Sequence, residues 1–348
     1  MSEIVLYVTR QLKNAELVGT SMPVGIDNHV HKMMTMLNIN YRNGQAVEIR
    51  GNEVRMVGIH GVAGIGKTTL AKFVYSQLYP PFEGCSYLGN IGEVLKTEPL
   101  EHLQSRLVSD LLKQEPKSVG SVKEGIDYIQ HRFHGMRVLI VLDDVHGRDQ
   151  LEAFAGKLSW FGLRSRIIVT TRNASLGYIP EMTAAYEVKP MEFDPSLCLF
   201  CRHALGESSP REGYEDLSKQ IVDEIRGIPL VIEVLGSHLY RKQKETWDDT
   251  LHQLRKIPAG MAQKVLMTSY EDLDQGTKDI FLDIACFFIG RDQRIPFYMW
   301  EDCGFCPGRG VQSLLLTSLV KIGENNELSV YDLLRDLGLA NCSRRRPS

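Results

Sequence analysis

Residues 54–75 read VRMVGIHGVAGIGKTTLAKFVY and place a phosphate-binding loop between a strand and a helix. The stretch Val54–Ile59 is apolar and predicts a buried strand, and Leu70–Tyr75 has the apolar spacing of a helix. Between them lies the pattern G-x-x-x-x-G-K-T, in which glycines let backbone N–H groups face a phosphate and the helix N-terminus adds partial positive charge. The pattern predicts a nucleoside-phosphate site formed by Gly61, Val62, Ala63, Gly64, Ile65, Gly66, Lys67, Thr68 and Thr69.

Two residues of this loop carry most of its chemistry. The Lys67 ammonium is expected to reach the β- and γ-phosphates of the nucleotide. The Thr68 hydroxyl is expected to hold Mg²⁺. The loop alone does not tell what the chain does with the nucleotide.

A second motif is the apolar strand Val138–Leu142, which is followed directly by Asp143 and Asp144. At the carboxyl edge of a parallel sheet, Asp143 is expected to help hold Mg²⁺ and Asp144 to polarise the attacking water as a general base. Acids at strand ends also occur at solvent-exposed turns. The phosphate-binding loop upstream favours the metal-site interpretation.

A third apolar run, Ile167–Thr170, leads to Arg172 at the same predicted edge. A guanidinium there can pair with a γ-phosphate through two hydrogen bonds and so report its presence. A surface arginine at a strand end would occupy the same position. The position alone leaves both interpretations open.

Composition and charge exclude several classes of protein. A length of 348 residues suggests two or three domains, and a net charge of −3 argues against nucleic acid as the main partner. No stretch reaches the roughly 18 apolar residues of a membrane span, and the N-terminal residues lack the basic region of a signal peptide. Seven cysteines, an odd number, fit a reducing compartment.

Two cysteine pairs have C-x-x-C spacing, Cys198/Cys201 and Cys303/Cys306. Such spacing occurs in zinc sites. The first pair lies in an apolar helical pattern, where cysteine packs as a small hydrophobic residue. The second lies in a turn with no histidine or further cysteine pair close by in sequence. Core packing is therefore the expectation for both pairs.

The pattern along the chain predicts an α/β P-loop NTPase domain with a doubly wound parallel sheet, followed by a helical subdomain and a winged-helix subdomain. Short apolar runs alternate with amphipathic stretches as far as about residue 180, whereas residues 194–255 and 262–289 read as helices. Residues 319–330 read as two short strands joined by a polar turn. The expected boundaries are a connector helix and linker at 1–20, the α/β nucleotide-binding domain at 21–190, the helical subdomain at 191–258, the winged-helix subdomain at 259–340 and a basic tail at 341–348.

The order of these segments resembles the NB-ARC nucleotide-binding module of plant intracellular immune receptors, over about residues 20–340. The chain is similar to that family at its P-loop, acidic strand, sensor strand and G-[LI]-P-L element, which here are Gly58–Lys72, Val138–Val145, Ser165–Arg172 and Gly227–Leu230. The segment Lys278–Gly290 looks like the winged-helix entry of receptors that carry an N-terminal TIR domain, and His146 after Asp-Asp-Val points the same way.

The resemblance implies a switch operated by ADP or ATP with Mg²⁺, with at most slow ATP hydrolysis. It implies that Arg172 senses the γ-phosphate, that Pro229 packs against the adenine or ribose, and that Val24, Gly25 and Ile26 close over the adenine. It also implies self-association in the ATP-bound state and a cytoplasmic or nucleocytoplasmic location. TIR and leucine-rich-repeat domains of the same receptor are the implied partners, and neither lies in this sequence, so a fragment or short form is expected.

One position departs from the family pattern. The family has Met-His-Asp, in which the histidine contacts the β-phosphate of ADP, and this chain has Val330-Tyr331-Asp332. A tyrosine donates a hydrogen bond but carries no positive charge near neutral pH. A charge-assisted contact of about 1.5–3 kcal/mol is then lost, so the ADP-bound state is expected to be weaker than in relatives with histidine.

Two other functions stay open at the level of sequence. A transcription regulator would place its winged helix in a DNA major groove, although the candidate recognition segment Gln312–Lys321 offers one lysine. A P-loop ATPase with rapid turnover would release phosphate well above about one turnover per minute. A gel-shift assay and a phosphate-release assay distinguish these from the switch.

Overall fold

The computed structural model describes residues 23–42, 45–78, 82–114, 119–257, 262–323 and 326–344. The predicted connector at 1–20 and the last residues of the predicted basic tail lie outside these ranges. The described residues form two compact units that divide at Lys189/Pro190, except that Ala63–Ile65 group with the second unit.

Strands buried on both faces form the centre of the first unit. Every residue of Val138–Leu142 and of Arg166–Thr171 is buried, as expected for continuous β-branched runs in a parallel sheet covered by helices. The α-helices and strands of this unit are α1 (Asp27–Met36), β1 (Ile39–Arg42), β2 (Gln45–Ile49), β3 (Arg55–His60), α2 (Lys67–Leu78), β4 (Gly84–Leu88), α3 (Ile91–Val94), α4 (Leu100–Leu112), α5 (Val122–Arg132), β5 (Val138–Leu142), α6 (Arg148–Ala155), β6 (Arg166–Thr171) and β7 (Ala184–Glu187). Two short 3-10 helices, Leu158–Trp160 and Ala174–Tyr178, lie on either side of β6 in sequence.

The sheet has the strand order β4-β5-β6-β3-β7, with all neighbours parallel. Strand β3 lies between β6 and β7, while the chain that leaves β3 continues to β4 at the far edge. This reversal of direction is the point at which parallel sheets bind ligands, outside the carboxyl ends of their strands. The predicted doubly wound sheet is confirmed, and β7 and the β1–β2 hairpin are additions to it.

A buried arginine fixes the β1–β2 hairpin to the sheet. Arg166, at the start of β6, is fully buried. Its guanidinium donates to the carbonyl oxygens of Leu37, Arg50 and Glu53, with the Nη1–Glu53 and Nη2–Arg50 distances both 3.0 Å. Burial lowers the pKa of Arg166 to about 10, so the group stays charged at neutral pH. One side chain thus satisfies three carbonyl groups between α1 and β3.

The second unit is helical and ends in a small hairpin and a last helix. Pro229 occupies the first turn of its helix, where proline is favoured because its missing N–H is not needed. The elements are α7 (Phe193–Leu205), α8 (Glu215–Ile225), α9 (Pro229–Leu239), α10 (Lys244–Lys256), α11 (Ala262–Glu271), α12 (Gln275–Asp283), a π-helix (Ile284–Phe288), α13 (Arg294–Asp302), α14 (Pro307–Leu316), β8 (Lys321–Ile322), β9 (Leu328–Ser329) and α15 (Asp332–Arg344).

One apolar core runs through this unit from Phe200 to Leu337 and includes Trp247 and Trp300. The Trp300 indole N–H donates to Asp283 Oδ2 at 2.9 Å, which satisfies the polar end of that buried ring. The strands β8 and β9 pair antiparallel, as the sequence predicted for residues 319–330. Helices and hairpin therefore share a single core.

The expectation of core packing is wrong for one of the two cysteine pairs. Cys201 is buried and Cys198 half-buried, but Cys303 and Cys306 are both exposed. The reason is local, because Cys303 caps the end of α13 and Cys306 precedes Pro307, so both side chains lie in the turn between two helices. No group of three or more His, Cys, Asp or Glu among the described residues could hold a metal ion.

No helix in the part of the chain that the structure describes combines the length and the apolar character that crossing a membrane requires.

Candidate functional site

Polar side chains from three elements meet at the carboxyl edge of the sheet. Thr68 lies in the first turn of α2, Asp143 follows β5, and Thr170 lies near the end of β6. The Thr68 hydroxyl donates to Asp143 Oδ1 at 2.9 Å, and the Thr170 hydroxyl donates to the same oxygen at 2.6 Å. The strand order therefore brings together residues that are far apart in sequence.

The phosphate-binding loop bends through conformations that favour glycine. Gly64 has a φ of +75° and Gly66 a φ of +100°, where a residue with a side chain would be strained. A Cβ at Gly66 would meet no heavy atom of the described residues within 4 Å, so the backbone angle, and not crowding, requires glycine there. Of the remaining loop positions, Ile65 is buried, whereas Val62 and Thr69 are exposed.

The Lys67 ammonium lies beside its own loop. Its Nζ donates to the carbonyl oxygens of Gly61 and Val62, at 3.0 Å each. Lys67 is also the first residue of a 12-residue helix, whose N-terminus favours an anion. Positive charge is therefore concentrated where the loop would meet a phosphate.

The Asp143 carboxylate is almost completely enclosed, with 1% of the residue exposed. Burial raises its pKa, the hydrogen bonds from Thr170 and Thr68 lower it, and the neighbouring Asp144 raises it again, with a net rise. Its hydrogen-bond partners on Oδ1 are thus neutral hydroxyl groups. A cation at this carboxylate would favour the charged form.

The residues at this edge fit a magnesium ion. Mg²⁺ takes oxygen ligands and is usually held through one or two carboxylates and the phosphates of a nucleotide. Thr68 Oγ1 and Asp143 Oδ1 supply two such oxygens at 2.9 Å from each other. The fit concerns these two ligands, and the phosphates would complete the set.

Asp144 is held on both carboxylate oxygens. Its Oδ2 lies 3.0 Å from His146 Nε2, and its Oδ1 lies 3.7 Å from Arg172 Nε. The residue has a φ of +63°, a left-handed conformation that is uncommon outside glycine and occurs often at functional sites. The structure thus places the predicted general base and the predicted γ-phosphate sensor against each other.

The segment predicted to close over the adenine lies at the start of the described chain. Val24 is half-buried, Gly25 is exposed with a φ of +71°, and Ile26 is buried at the start of α1. In the first turn of α1, His29 Nδ1 lies 2.6 Å from the Tyr186 hydroxyl of β7. The segment is therefore tied to the edge strand β7 of the same unit.

Pro229 lies in the second unit, at the first position of α9. The next residue, Leu230, donates its N–H to the Gly64 carbonyl oxygen at 3.3 Å. Gly64 belongs to the three loop residues that group with this unit. The G-I-P-L element thus contacts the tip of the phosphate-binding loop.

Tyr331 contacts two charged residues of the second unit. Its hydroxyl donates to Glu233 Oε2 at 3.2 Å and accepts a hydrogen bond from Lys321, and Lys321 Nζ lies 2.8 Å from Glu233 Oε1. Burial raises the pKa of Tyr331, so the hydroxyl stays protonated at neutral pH. Because Glu233 is on α9 and Lys321 is on β8, Tyr331 links the helix that follows Pro229 to the hairpin.

The sequence did not predict the contacts of three residues that shape this site. Thr170 and His146 contact the two aspartates directly, and Arg166 fixes the hairpin next to the sheet. Thr170 lies in the sensor strand Ser165–Arg172, two residues before Arg172, and that position is the sequence signal that could have placed it at the site. Nothing in the local pattern distinguishes Arg166 from a surface arginine.

Two domain families match this chain. Residues 45–209 match the NB-ARC domain, and residues 274–345 match the winged-helix domain of Roq1-like disease resistance proteins. The first match contains the phosphate-binding loop, the two aspartates and Arg172. The second contains the hairpin and Tyr331.

Curated relatives are similar along nearly the whole chain. Disease resistance protein RPV1 of Vitis rotundifolia is 37% identical over 340 residues, which cover 97% of this chain and 24% of that protein. TMV resistance protein N of Nicotiana glutinosa is 34% identical over 344 residues, which cover 97% of this chain and 29% of that protein. The chain thus spans about a quarter of the length of these relatives.

A solved structure supports the fold. It is a Signal Transduction ATPase with Numerous Domains protein that carries a tetratricopeptide repeat sensor, from Pyrococcus horikoshii. The TM-score is 0.54 at 16% sequence identity, with 92% of this chain and 43% of that chain covered. At this identity the likeness concerns the fold alone.

Proposed function

We propose that this chain, which belongs to the NB-ARC family of nucleotide-binding modules, is the nucleotide-operated switch of a plant disease-resistance receptor. The observation that carries the proposal is the contact of Thr68 with the buried Asp143 at the first turn after the phosphate-binding loop. A hydroxyl and a carboxylate at this position suit Mg²⁺ bound to a nucleoside phosphate. The relatives named above support the receptor context.

In this proposal the nucleotide is held by named residues with distinct roles. Lys67 reaches the β- and γ-phosphates, and Thr68 and Asp143 hold Mg²⁺, which neutralises phosphate charge. Pro229, Val24, Gly25 and Ile26 contact the adenine or ribose, which follows from the family resemblance. A hydrophobic cover with few polar contacts suits an aromatic base.

The switch works through the difference between ADP and ATP. A ligand shifts a conformational equilibrium only by its difference in affinity for the two states. Arg172 supplies that difference, since a guanidinium pairs with a γ-phosphate that ADP lacks. Hydrolysis, with Asp144 as general base, is slow and returns the module to the ADP state.

The wider receptor context is part of the proposal. Exchange of ADP for ATP would free the winged helix and allow self-association of the module. TIR and leucine-rich-repeat domains of the same receptor would supply output and recognition, in a cytoplasmic or nucleocytoplasmic protein. Membership of the family and the disease-resistance names of the relatives support this context.

The proposal is tested by the nucleotide that co-purifies with the chain and by its turnover. We expect stoichiometric ADP or ATP after gel filtration, and phosphate release below about one turnover per minute at saturating ATP and Mg²⁺. Turnover far above this value would favour an ordinary ATPase. Tight, salt-resistant binding to duplex DNA in a gel-shift assay would favour a transcription regulator.

Substituting Tyr331 tests the expected weakness of the ADP-bound state. In Tyr331→His, the imidazole restores the family residue, and ADP release should slow about tenfold because a charge-assisted contact is regained. The measurement is the release rate of a fluorescent ADP analogue after a chase with unlabelled ADP. Tyr298→His, at an exposed position of the same unit, is the control. An unchanged release rate in Tyr331→His would contradict the expectation that Tyr331 weakens the ADP-bound state.

A further inference from the structure

His146 occupies a position for which the mechanism above has no use. Its Nε2 lies 3.0 Å from Asp144 Oδ2. Because a carboxylate only accepts hydrogen bonds, the imidazole nitrogen is the donor and carries the hydrogen. The His146 side chain is 37% exposed, whereas that of Asp144 is 6% exposed. The imidazole therefore lies between solvent and an enclosed carboxylate.

The turn that carries both residues is fixed along its backbone. The Asp144 N–H donates to Thr170 Oγ1 at 2.8 Å, and the same hydroxyl donates to Asp143. The His146 N–H donates to Gln150 Oε1 at 2.8 Å. The left-handed φ of Asp144 is therefore supported by hydrogen bonds on either side.

Gly92 leaves the room that the imidazole needs. A Cβ at position 92 would lie 2.2 Å from His146 Cε1 and 2.4 Å from its Nε2. Any side chain at position 92 would thus displace the ring from Asp144. The Gly92 N–H also donates to the Asp144 carbonyl oxygen at 3.1 Å, which brings the two segments together.

The other oxygen of Asp144 faces Arg172. The distance from Arg172 Nε to Asp144 Oδ1 is 3.7 Å, longer than a charge-assisted hydrogen bond of about 2.8 Å. A γ-phosphate carries more negative charge than one carboxylate and offers several acceptor oxygens. It can therefore draw the guanidinium away from Oδ1, while the shorter contact with His146 on Oδ2 is kept.

We propose that His146 is a positioning residue, which keeps the Asp144 carboxylate oriented when Arg172 turns to a γ-phosphate. Oδ1 then becomes available to a water molecule at the moment when the phosphate is bound. The inference rests on the proposed function and deepens it, because it links sensing of the γ-phosphate to activation of the base. The structural basis is that each carboxylate oxygen of Asp144 faces a different side chain, with Oδ2 next to His146 and Oδ1 next to Arg172.

The reaction step that His146 supports is ATP hydrolysis. The water oxygen forms a bond to the γ-phosphorus, and one water proton passes to Asp144 Oδ1. The bond between the γ-phosphorus and the bridging oxygen breaks, and its electron pair stays on ADP. Asp144 returns its proton to the phosphate, so ATP and one water give ADP and inorganic phosphate.

Two substitutions separate positioning from mere packing. His146→Phe keeps a flat ring over Gly92 and removes the donor, and His146→Gln supplies an amide N–H near the place of Nε2. His131→Phe, at an exposed histidine of α5 in the same unit, is the matched control. Each protein is first freed of co-purified nucleotide and is then mixed with Mg²⁺ and less than one equivalent of radiolabelled ATP. Both the single-turnover rate and the dissociation constant of ATP are measured.

We expect the single-turnover rate of His146→Phe to fall about tenfold, with the ATP dissociation constant within about twofold of wild type. His146→Gln should recover at least half of the lost rate, and His131→Phe should behave as wild type. An unchanged rate in His146→Phe, equal losses in rate and affinity, or a glutamine variant no better than phenylalanine would each overturn the inference. If His146→Phe does not fold, His146→Leu takes its place in the comparison with His146→Gln.

The outcome also separates this inference from the proposed function. Wild-type protein that retains nucleotide but shows no single-turnover hydrolysis would overturn the role of His146 and leave the switch in place. Wild-type protein that retains no nucleotide would overturn the proposed function itself.

Discussion

Lys67→Ala is expected to abolish nucleotide retention, so that the purified variant carries no ADP or ATP. The ammonium is the one side-chain cation placed in the loop itself, and its loss removes charge-assisted hydrogen bonds of about 1.5–3 kcal/mol each. Two such bonds correspond to a dissociation constant raised by at least about 100-fold. Isothermal titration calorimetry with ADP and Mg²⁺, together with chromatography of the nucleotide released by denaturation, measures both quantities.

The matched control is Lys72→Ala, which removes a half-buried lysine from the same helix, α2. It should retain nucleotide like the wild type. In the folded Lys67→Ala protein the carbonyl groups of Gly61 and Val62 lose a donor, but both lie in a loop that is not fully buried, so the fold should survive. Stoichiometric ADP in purified Lys67→Ala would refute the site.

Arg166→Met is expected to lower the free energy of unfolding of the first unit by about 3 kcal/mol, since it removes the hydrogen bonds of a buried guanidinium, one of which goes to the buried carbonyl oxygen of Leu37. Methionine has a similar length, so the loss concerns hydrogen bonds more than volume. The carbonyl groups affected are those of Leu37, Arg50 and Glu53. For a unit of this size, the melting temperature should fall by about 6–12 °C, as followed by circular dichroism or differential scanning calorimetry.

Arg164→Met is the control for this substitution. Arg164 is exposed and donates from Nε to Asn52 Oδ1 at 3.0 Å, so its loss should cost less than about 0.5 kcal/mol. Arg164 lies two residues before Arg166, which is the first residue of β6, so the two substitutions are comparable in chemistry and place. If both lowered the melting temperature equally, the buried hydrogen bonds of Arg166 would not be the cause.

Much of the fold follows from segments that are continuous in the sequence. The phosphate-binding loop between strand and helix, the buried strand before Asp143 and the hairpin at 319–330 each have a local pattern that one physical rule explains. Strand β7 was not predicted from the sequence, because it has four residues, of which only Tyr186 is buried. Its pairing with β3 decides its structure. Cys303 and Cys306 were assigned to the core because their turn has no histidine or further cysteine pair close by in sequence, but both side chains are exposed in that turn.

The positions of the candidate site residues could be predicted where a motif fixes them. Lys67, Thr68 and Asp143 stand at fixed places in their motifs, and the structure brings Thr68 and Asp143 into contact, while the roles of all three toward a nucleotide stay predictions. The partners of Asp144 and Tyr331 were not predictable, because each depends on strand order or on packing between segments distant in sequence. A sequence pattern lists the residues at a site but does not tell which of them touch.

The contacts of Tyr331 make the residue that suits position 331 depend on its two charged neighbours. Its hydroxyl lies between the carboxylate of Glu233 and the ammonium of Lys321. A single exchange to histidine would bring an imidazole between these two groups, where the carboxylate of Glu233 favours protonation of the ring and the ammonium of Lys321 opposes it. The residues at 233 and 321 therefore set how much positive charge a histidine at 331 can carry. Positions 233, 321 and 331 are expected to vary together among relatives.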